Sequence, residues 1–163
     1  MLCGIFILGA GFTTLPALAA IQQIEEAPGQ MLYQSRHTLQ DQHGHPWRAI
    51  AFNRILPNGS TSFYVRLVGF PGMAEIDRSQ PLMVTTSLGE TLTASDASSK
   101  IFTDASTPEP HIGQYDLQPI VSMLQPVIPI QLSLPTLNSS PIQLSVSPSI
   151  IQEWQTVAAY DLS

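Results

Sequence analysis

Between Met31 and Phe70 the chain falls into three runs rich in β-branched and aromatic residues, each bounded by turn-forming residues. Met31 to Gln40 ends at Asp41-Gln42-His43-Gly44-His45-Pro46, Trp47 to Leu56 ends at Pro57-Asn58-Gly59-Ser60, and Thr61 to Phe70 ends at Pro71-Gly72. Alternation with a period of two predicts strands. Asn-Gly is a strong hairpin signal, because a tight type I′ turn needs positive φ at both central residues. The pattern predicts an antiparallel three-stranded meander.

Two-residue turns at His43-Gly44 and Asn58-Gly59 imply a register. Phe52 then stands opposite Ser35 and Val65, and Ala51 stands between Arg36 and Arg66. The alternation predicts a core face of Met31, Tyr33, Leu39, Ile50, Phe52, Leu56, Phe63, Val65 and Leu67. The opposite face is predicted to carry Gln34, Arg36, Ala51, Asn53, Tyr64 and Arg66, with Trp47, Val68 and Phe70 toward one end.

After Pro71 the pattern weakens. Pro81 to Leu88 reads as a strand, and the Ser/Thr/Asp-rich stretch from Gly89 to Pro110 as a long loop with a short extended piece at Ile101-Phe102. Asp116 is placed to cap a short helix carrying Leu117, Ile120, Val121 and Leu124 on one side. Pro129-Ile130-Gln131-Leu132-Ser133-Leu134 recurs as Pro141-Ile142-Gln143-Leu144-Ser145-Val146. Each copy alternates like a half-buried strand, so a second hairpin is predicted. Ser147-Pro148 starts a helix well, and Ile150, Ile151, Trp154, Val157 and Ala158 follow at helical spacing. These elements define an α+β fold: an antiparallel, β-rich domain with an N-terminal three-stranded meander, a second hairpin, one short helix, and a C-terminal helix packed on the sheet.

The N-terminus changes the picture. Leu2 to Ala20 carry no charge, and Ala17-Leu18-Ala19 has the small-x-small pattern that signal peptidase reads. The chain is expected to divide into a signal peptide (1–19), a flexible lead-in (20–30) and a single globular domain (31–163), with no membrane span after cleavage. The basic start of an ordinary signal peptide is missing, and the alternative is an uncleaved anchor, since about 20 apolar residues can just cross a bilayer. Cys3 is the one cysteine and lies inside this segment. Cleavage therefore removes disulfide, thiol and cysteine-metal chemistry from the working domain.

Charge narrows the choice further. The chain carries a formal net charge of −6, unevenly spread. Residues 31–70 hold Arg36, Arg48, Arg54 and Arg66 against Asp41 alone, whereas the part after Phe70 holds nine acids against Arg78 and Lys100. A net acidic chain is a poor match for nucleic acid. His37, His43, His45 and Asp41 are close in sequence, but the expected register sends His37 to the core face and the other two into a turn, so no metal site is assigned. No carboxylate pair, Gly-x-Ser-x-Gly elbow or phosphate-cradling loop lies outside the leader, so no catalytic residue and no cofactor are assigned. The sharpest candidate is a binding site at Arg36, Asn53, Tyr64 and Arg66. Arginine offers a planar fork to carboxylates and other oxyanions, and Tyr64 and Asn53 add hydrogen-bonding groups. Asp77, Asp96 and Asp104 are the loop acids that would neutralise the arginines if they are only surface ion pairs.

The run Met31-Leu32-Tyr33-Gln34-Ser35-Arg36, then Asp41, Gly44 and Trp47-Arg48-Ala49-Ile50-Ala51-Phe52, resembles a family of exported cyanobacterial proteins built on a domain of unknown function. So do Ser62-Phe63-Tyr64-Val65-Arg66-Leu67-Val68-Gly69-Phe70-Pro71-Gly72, Ile101-Phe102-Thr103-Asp104, Gln114-Tyr115-Asp116-Leu117 and Glu153-Trp154. The resemblance implies a periplasm or thylakoid lumen and transfers no functional residue. The expectation is a non-enzymatic accessory or binding protein that works through surface contacts, with a protein partner at a membrane-associated complex. The rival is a small-ligand binder or enzyme with its site between the sheet and the 89–110 loop.

Overall fold

The computed structural model describes residues 21–101 and 109–161. The expected signal peptide with Cys3, the extended piece at Phe102, and Asp104 lie outside these residues. The described chain forms strands β1 (Gln22–Ala27), β2 (Gln30–Gln40), β3 (Pro46–Ile55), β4 (Thr61–Val68), β5 (Leu82–Thr86), β6 (Thr91–Asp96), β7 (Ile112–Asp116), β8 (Ile130–Leu134) and β9 (Ile142–Val146). Two α-helices follow the pattern of the sequence, the short α1 (Gln118–Val121) and the C-terminal α2 (Pro148–Ala158). All nine strands join one antiparallel sheet in the order β1-β2-β3-β4-β7-β6-β5-β8-β9. The meander and the second hairpin therefore share a sheet.

The sheet curls until its far side reaches back to β2. The Gln42 side chain, in the β2–β3 turn, donates to the Pro141 carbonyl at 2.9 Å and accepts the Gln143 N–H at 2.8 Å. It thus pairs with β9 much as another strand would. α2 fills the inner side against β2 and β3, and Ile151, Trp154 and Val157 are fully buried there. They join Trp47, Ala49, Ala51, Phe63, Val65, Leu67, Tyr115 and the inward leucines of β8 and β9 in one core cluster. The repeat works as its alternation predicts: Ile130, Leu132 and Leu134 pair with Val146, Leu144 and Ile142, and all six are buried.

Both meander hairpins differ from expectation by one residue, for one reason. Asp41 N–H donates to the His45 carbonyl and Gly44 N–H to the Asp41 carbonyl, while Leu56 N–H donates to Ser60 and Gly59 N–H to Leu56. Each loop therefore has three residues, a type I turn followed by a glycine in the left-handed region: φ is 79° at Gly44 and 84° at Gly59. The Asp41 and Asn58 side chains favour this turn by accepting backbone N–H groups two residues on.

A one-residue slip sends a strand's side chains to the opposite face. Because both of its neighbours are offset, β3 alone changes sides. Ala51 pairs with Ser35 and Val65, and Ile50 with Arg36 and Arg66. Trp47, Ala51 and Asn53, expected outside, face the core. Ile50 and Phe52, expected inside, face outward. β2 and β4 keep their predicted faces.

Three strands went unpredicted. The lead-in expected to be flexible forms β1, paired from Gln22↔Gln34 to Ala27↔Gln30. All six of its side chains are exposed, so no apolar alternation marks it. The described part of the expected 89–110 loop contains β6 and the 3-10 turn Ser98–Lys100, and β6 buries only Ala94. The short β7, with Gly113 and Gln114 at its centre, links β4 to β6. The α1 start agrees with the sequence in part: Asp116 accepts the Gln118 N–H at 3.0 Å, but the helix ends at Val121, before Leu124. In α2, Ser147 occupies the N-cap position, with its hydroxyl on Ser149 instead of the helix backbone.

Candidate functional site: a basic outer face

The outer face of β2, β3, β4 and β7 is built from rows of side chains that cross the strands. One row runs Gln34, Phe52, Tyr64, Asp116. The next runs Arg36, Ile50, Arg66, Gln114. A third, beyond it, runs Thr38, Arg48, Val68, Ile112. On the far side of Phe52 stand Leu32, Arg54 and Ser62. Arg36 and Arg66 therefore share a row, as predicted, but they flank Ile50 and not Ala51. The two hairpin offsets cancel across β3.

Phe52 is the floor of this face. It is 4% exposed although it points away from the core. Tyr64, Ala97, Leu32 and Ile50 pack around it. The guanidinium carbons of Arg54 and Arg66 lie 5.6 and 5.4 Å from its ring centre, a cation–π arrangement on two sides. Arg54 is neutralised by Glu26 at 2.8 Å, and that contact holds the Glu26 carboxyl below the usual range. Arg66 is half-buried and donates to Gln114 Oε1 at 3.0 Å, a neutral partner. Burial chiefly, with the positive charges of Arg54 and Arg36, lowers the affinity of Arg66 for its proton. Lys100 donates to the Tyr64 hydroxyl at 3.1 Å, and this bond raises its pKa. Arg36 and Arg48 are exposed and carry no hydrogen bond or ion pair among the described residues. Five of the six Lys and Arg residues of an acidic chain are thus gathered on one face.

The predicted site is therefore partly assembled. Arg36, Tyr64 and Arg66 share the face. Asn53 does not: it is fully buried on the inner side, where its amide donates to the carbonyls of Val157 (3.0 Å), Ala158 (3.4 Å) and Tyr160 (3.0 Å) and caps α2. Its expected role follows from the misplaced β3 register. Phe52, Arg54 and Lys100 were missed, Phe52 and Arg54 for the same reason. Of the acids expected to neutralise the arginines, Asp77 binds Ser79 and Gln80, and Asp96 binds Ser98.

The histidines do not converge. His37 lies on the inner side, 3.1 Å from Glu153 of α2, and the His43 and His45 rings sit 6.1 Å apart in the turn. Among the described residues no group of three or more His, Cys, Asp or Glu is placed to hold a metal. No helix among them is long and apolar enough to cross a membrane.

The described chain is thus a curled, β-rich α+β domain with a continuous core and a basic, aromatic-floored outer face. The chain belongs to the family described as "Protein of unknown function (DUF3122)", whose family model matches residues 19–157. Comparison with curated proteins and with solved structures finds no match.

Proposed function

We propose that this is an exported, non-enzymatic accessory protein of the periplasm or thylakoid lumen that holds an acidic protein partner on the outer face of β2–β4. The observation that carries the reading is the Arg36–Ile50–Arg66 row. It sets one arginine bonded to no described residue and one with a neutral partner on either side of an apolar residue, in a chain whose net charge is −6. Concentrating positive charge costs folding energy through like-charge repulsion, and an acidic surface would relieve that repulsion. Export is supported by the uncharged stretch from Leu2 to Ala20 and by a family match that begins at residue 19, beside the expected cleavage point.

The test captures partners from a native envelope extract with the tagged chain and with R36A/R66A. The expected result is an acidic partner that the wild type retains at low salt, that high salt releases, and that the variant fails to hold. Equal capture by both proteins would overturn the binding role. Amino-terminal sequencing of the accumulated protein is expected to begin at Ala20, and a start at Met1 would overturn cleavage.

A further inference from the structure

Beside the arginine row lies an open cleft of about 300 Å³, lined by Thr38, Arg48, Ile50, Val68, Gly69 and Phe70. Its walls are largely apolar at this end of the face. Phe70 is 59% exposed, and the exposed Arg48 bonds to no described residue. Ile50 belongs to both features, since it lines the cleft and separates Arg36 from Arg66. The Thr38–Arg48–Val68 row is two residues along each strand from the Arg36–Ile50–Arg66 row, a step of about 6.8 Å. An extended peptide has the same two-residue step.

We infer that the cleft and the arginine row together form one subsite for an extended acidic segment of the partner, in which an apolar side chain fills the cleft and a carboxylate two residues away sits over Ile50 between Arg36 and Arg66. The inference rests on the basic-face reading and adds the partner's chemistry and spacing. The occupant is fixed by charge complementarity. The two arginines stand on the strands either side of β3, about 9.6 Å apart at the backbone, so an anion above the Ile50 side chain lies within reach of both. The crowding of Arg66 by Arg54 and Arg36 acts in the same direction. A single aliphatic or aromatic side chain fits a cleft of this volume, and enclosing it adds affinity that charge alone does not.

The experiment uses the full chain and three dye-labelled peptides of identical composition in fluorescence anisotropy. One places the carboxylate two residues from a phenylalanine, one places it six residues away, and one scrambles the order. The two-residue peptide is expected to bind about tenfold tighter or more than the others. R36A/R66A is expected to weaken it about tenfold or more. Thr38→Trp, which fills the cleft from an exposed position, is expected to abolish the difference between peptides while leaving the salt dependence. If all three peptides bind the wild type equally but still need Arg36 and Arg66, the subsite is overturned and the basic-face reading stands. If none binds, or R36A/R66A binds as the wild type does, both fall. If no peptide is discriminated and the chain instead sediments with phosphatidylglycerol vesicles through the same arginines, the face serves a lipid surface and the inference is overturned.

Discussion

The Trp47 indole N–H donates to the Asp41 carboxylate at 3.1 Å, which ties one of the two fully buried tryptophans of the core to the turn that sets the strand register. The same carboxylate accepts the backbone N–H groups of His43 (2.8 Å) and His45 (2.9 Å). Burial is the strongest single influence on Asp41 and opposes its charge. The backbone donors of His45 and His43, the indole and the charge of His45 together outweigh it, and its pKa lies below the usual 3.8. Asp41→Ala is expected to cost about 2–3 kcal/mol, because it leaves a buried indole N–H and two turn amides without an acceptor. The pH dependence follows from the direction of the shift. The stabilisation is complete above 3.8 and is lost as pH falls through the lower folded-state value. Chemical denaturation at pH 7 and at stepped acid pH is expected to show a steeper acid loss in the wild type than in Asp41→Asn.

Gly44 and Gly59 carry the turn geometry with open space where a side chain would stand. A Cβ added at either would meet no atom within 4 Å, while φ is 79° and 84°. The cost of Gly44→Ala or Gly59→Ala is therefore purely conformational, about 1–2 kcal/mol each. The two turns share no contacts, so the double variant is expected to lose the sum of the single effects. Asn at either position is expected to recover part of the loss, because it tolerates the left-handed region. Equilibrium unfolding of the five variants checks the set.

These two glycines also explain what could be read in the sequence. The β2–β4 runs, the β8–β9 repeat and α2 all declare themselves by apolar spacing, because each buries one side. β1, β6 and β7 do not. Six exposed side chains in β1 and a lone buried alanine in β6 leave no periodic signal, and β7 pairs only with β4 and β6, both distant from it in sequence. The turn length was the deciding ambiguity. His43-Gly44 and Asn58-Gly59 suit a two-residue turn, and only the Asp41 and Asn58 side-chain bonds select the three-residue form. The arginine row survived that error by cancellation, and Asn53 did not.

Arg36 offers a separation of binding from stability. It is exposed and bonded to no described residue, so Arg36→Ala is expected to change unfolding free energy by less than about 0.5 kcal/mol. Arg66 is different, because it covers the Phe52 ring and bonds Gln114. Arg66→Ala exposes that ring, and Arg66→Met, which keeps an apolar stem, is the better-folded control. Partner binding is expected to weaken in all three, while only Arg66→Ala shows a lower melting temperature.

Asn53 gives the test of the corrected β3 face. Its amide satisfies three carbonyls at the end of α2, beyond which Tyr160 stacks on Tyr33 with ring centres 4.0 Å apart. Asn53→Ala is expected to cost about 1–3 kcal/mol, since the carbonyls lose their donor in a buried place. Asn53→Asp is expected to cost more, because a carboxylate would face those same carbonyls without water. Neither is expected to alter association through the arginine face. Hydrogen exchange is expected to show the loss first in the last turn of α2, and an effect confined to partner binding would return Asn53 to the outer face.

Tyr115 supplies a spectroscopic signature of the core. The side chain is fully buried beneath the β4–β7–β6 junction. Burial above all, then the negative charge of Asp96 and of Asp77, pushes its pKa well above 10.0, while Arg78 acts the other way. The folded state therefore keeps a proton that the unfolded chain gives up near pH 10, so this residue makes stability fall as pH rises above 10. Absorbance titration at 295 nm is expected to show at most three of the four tyrosines ionising before the sheet unfolds. In Tyr115→Phe the ionising tyrosines of the native state are expected to be unchanged in number. The alkaline loss of stability is expected to become shallower, since the phenylalanine keeps the packing and removes the titrating group. Four tyrosines ionising in the native wild type would place Tyr115 in contact with solvent and contradict the packing of β7 between β4 and β6.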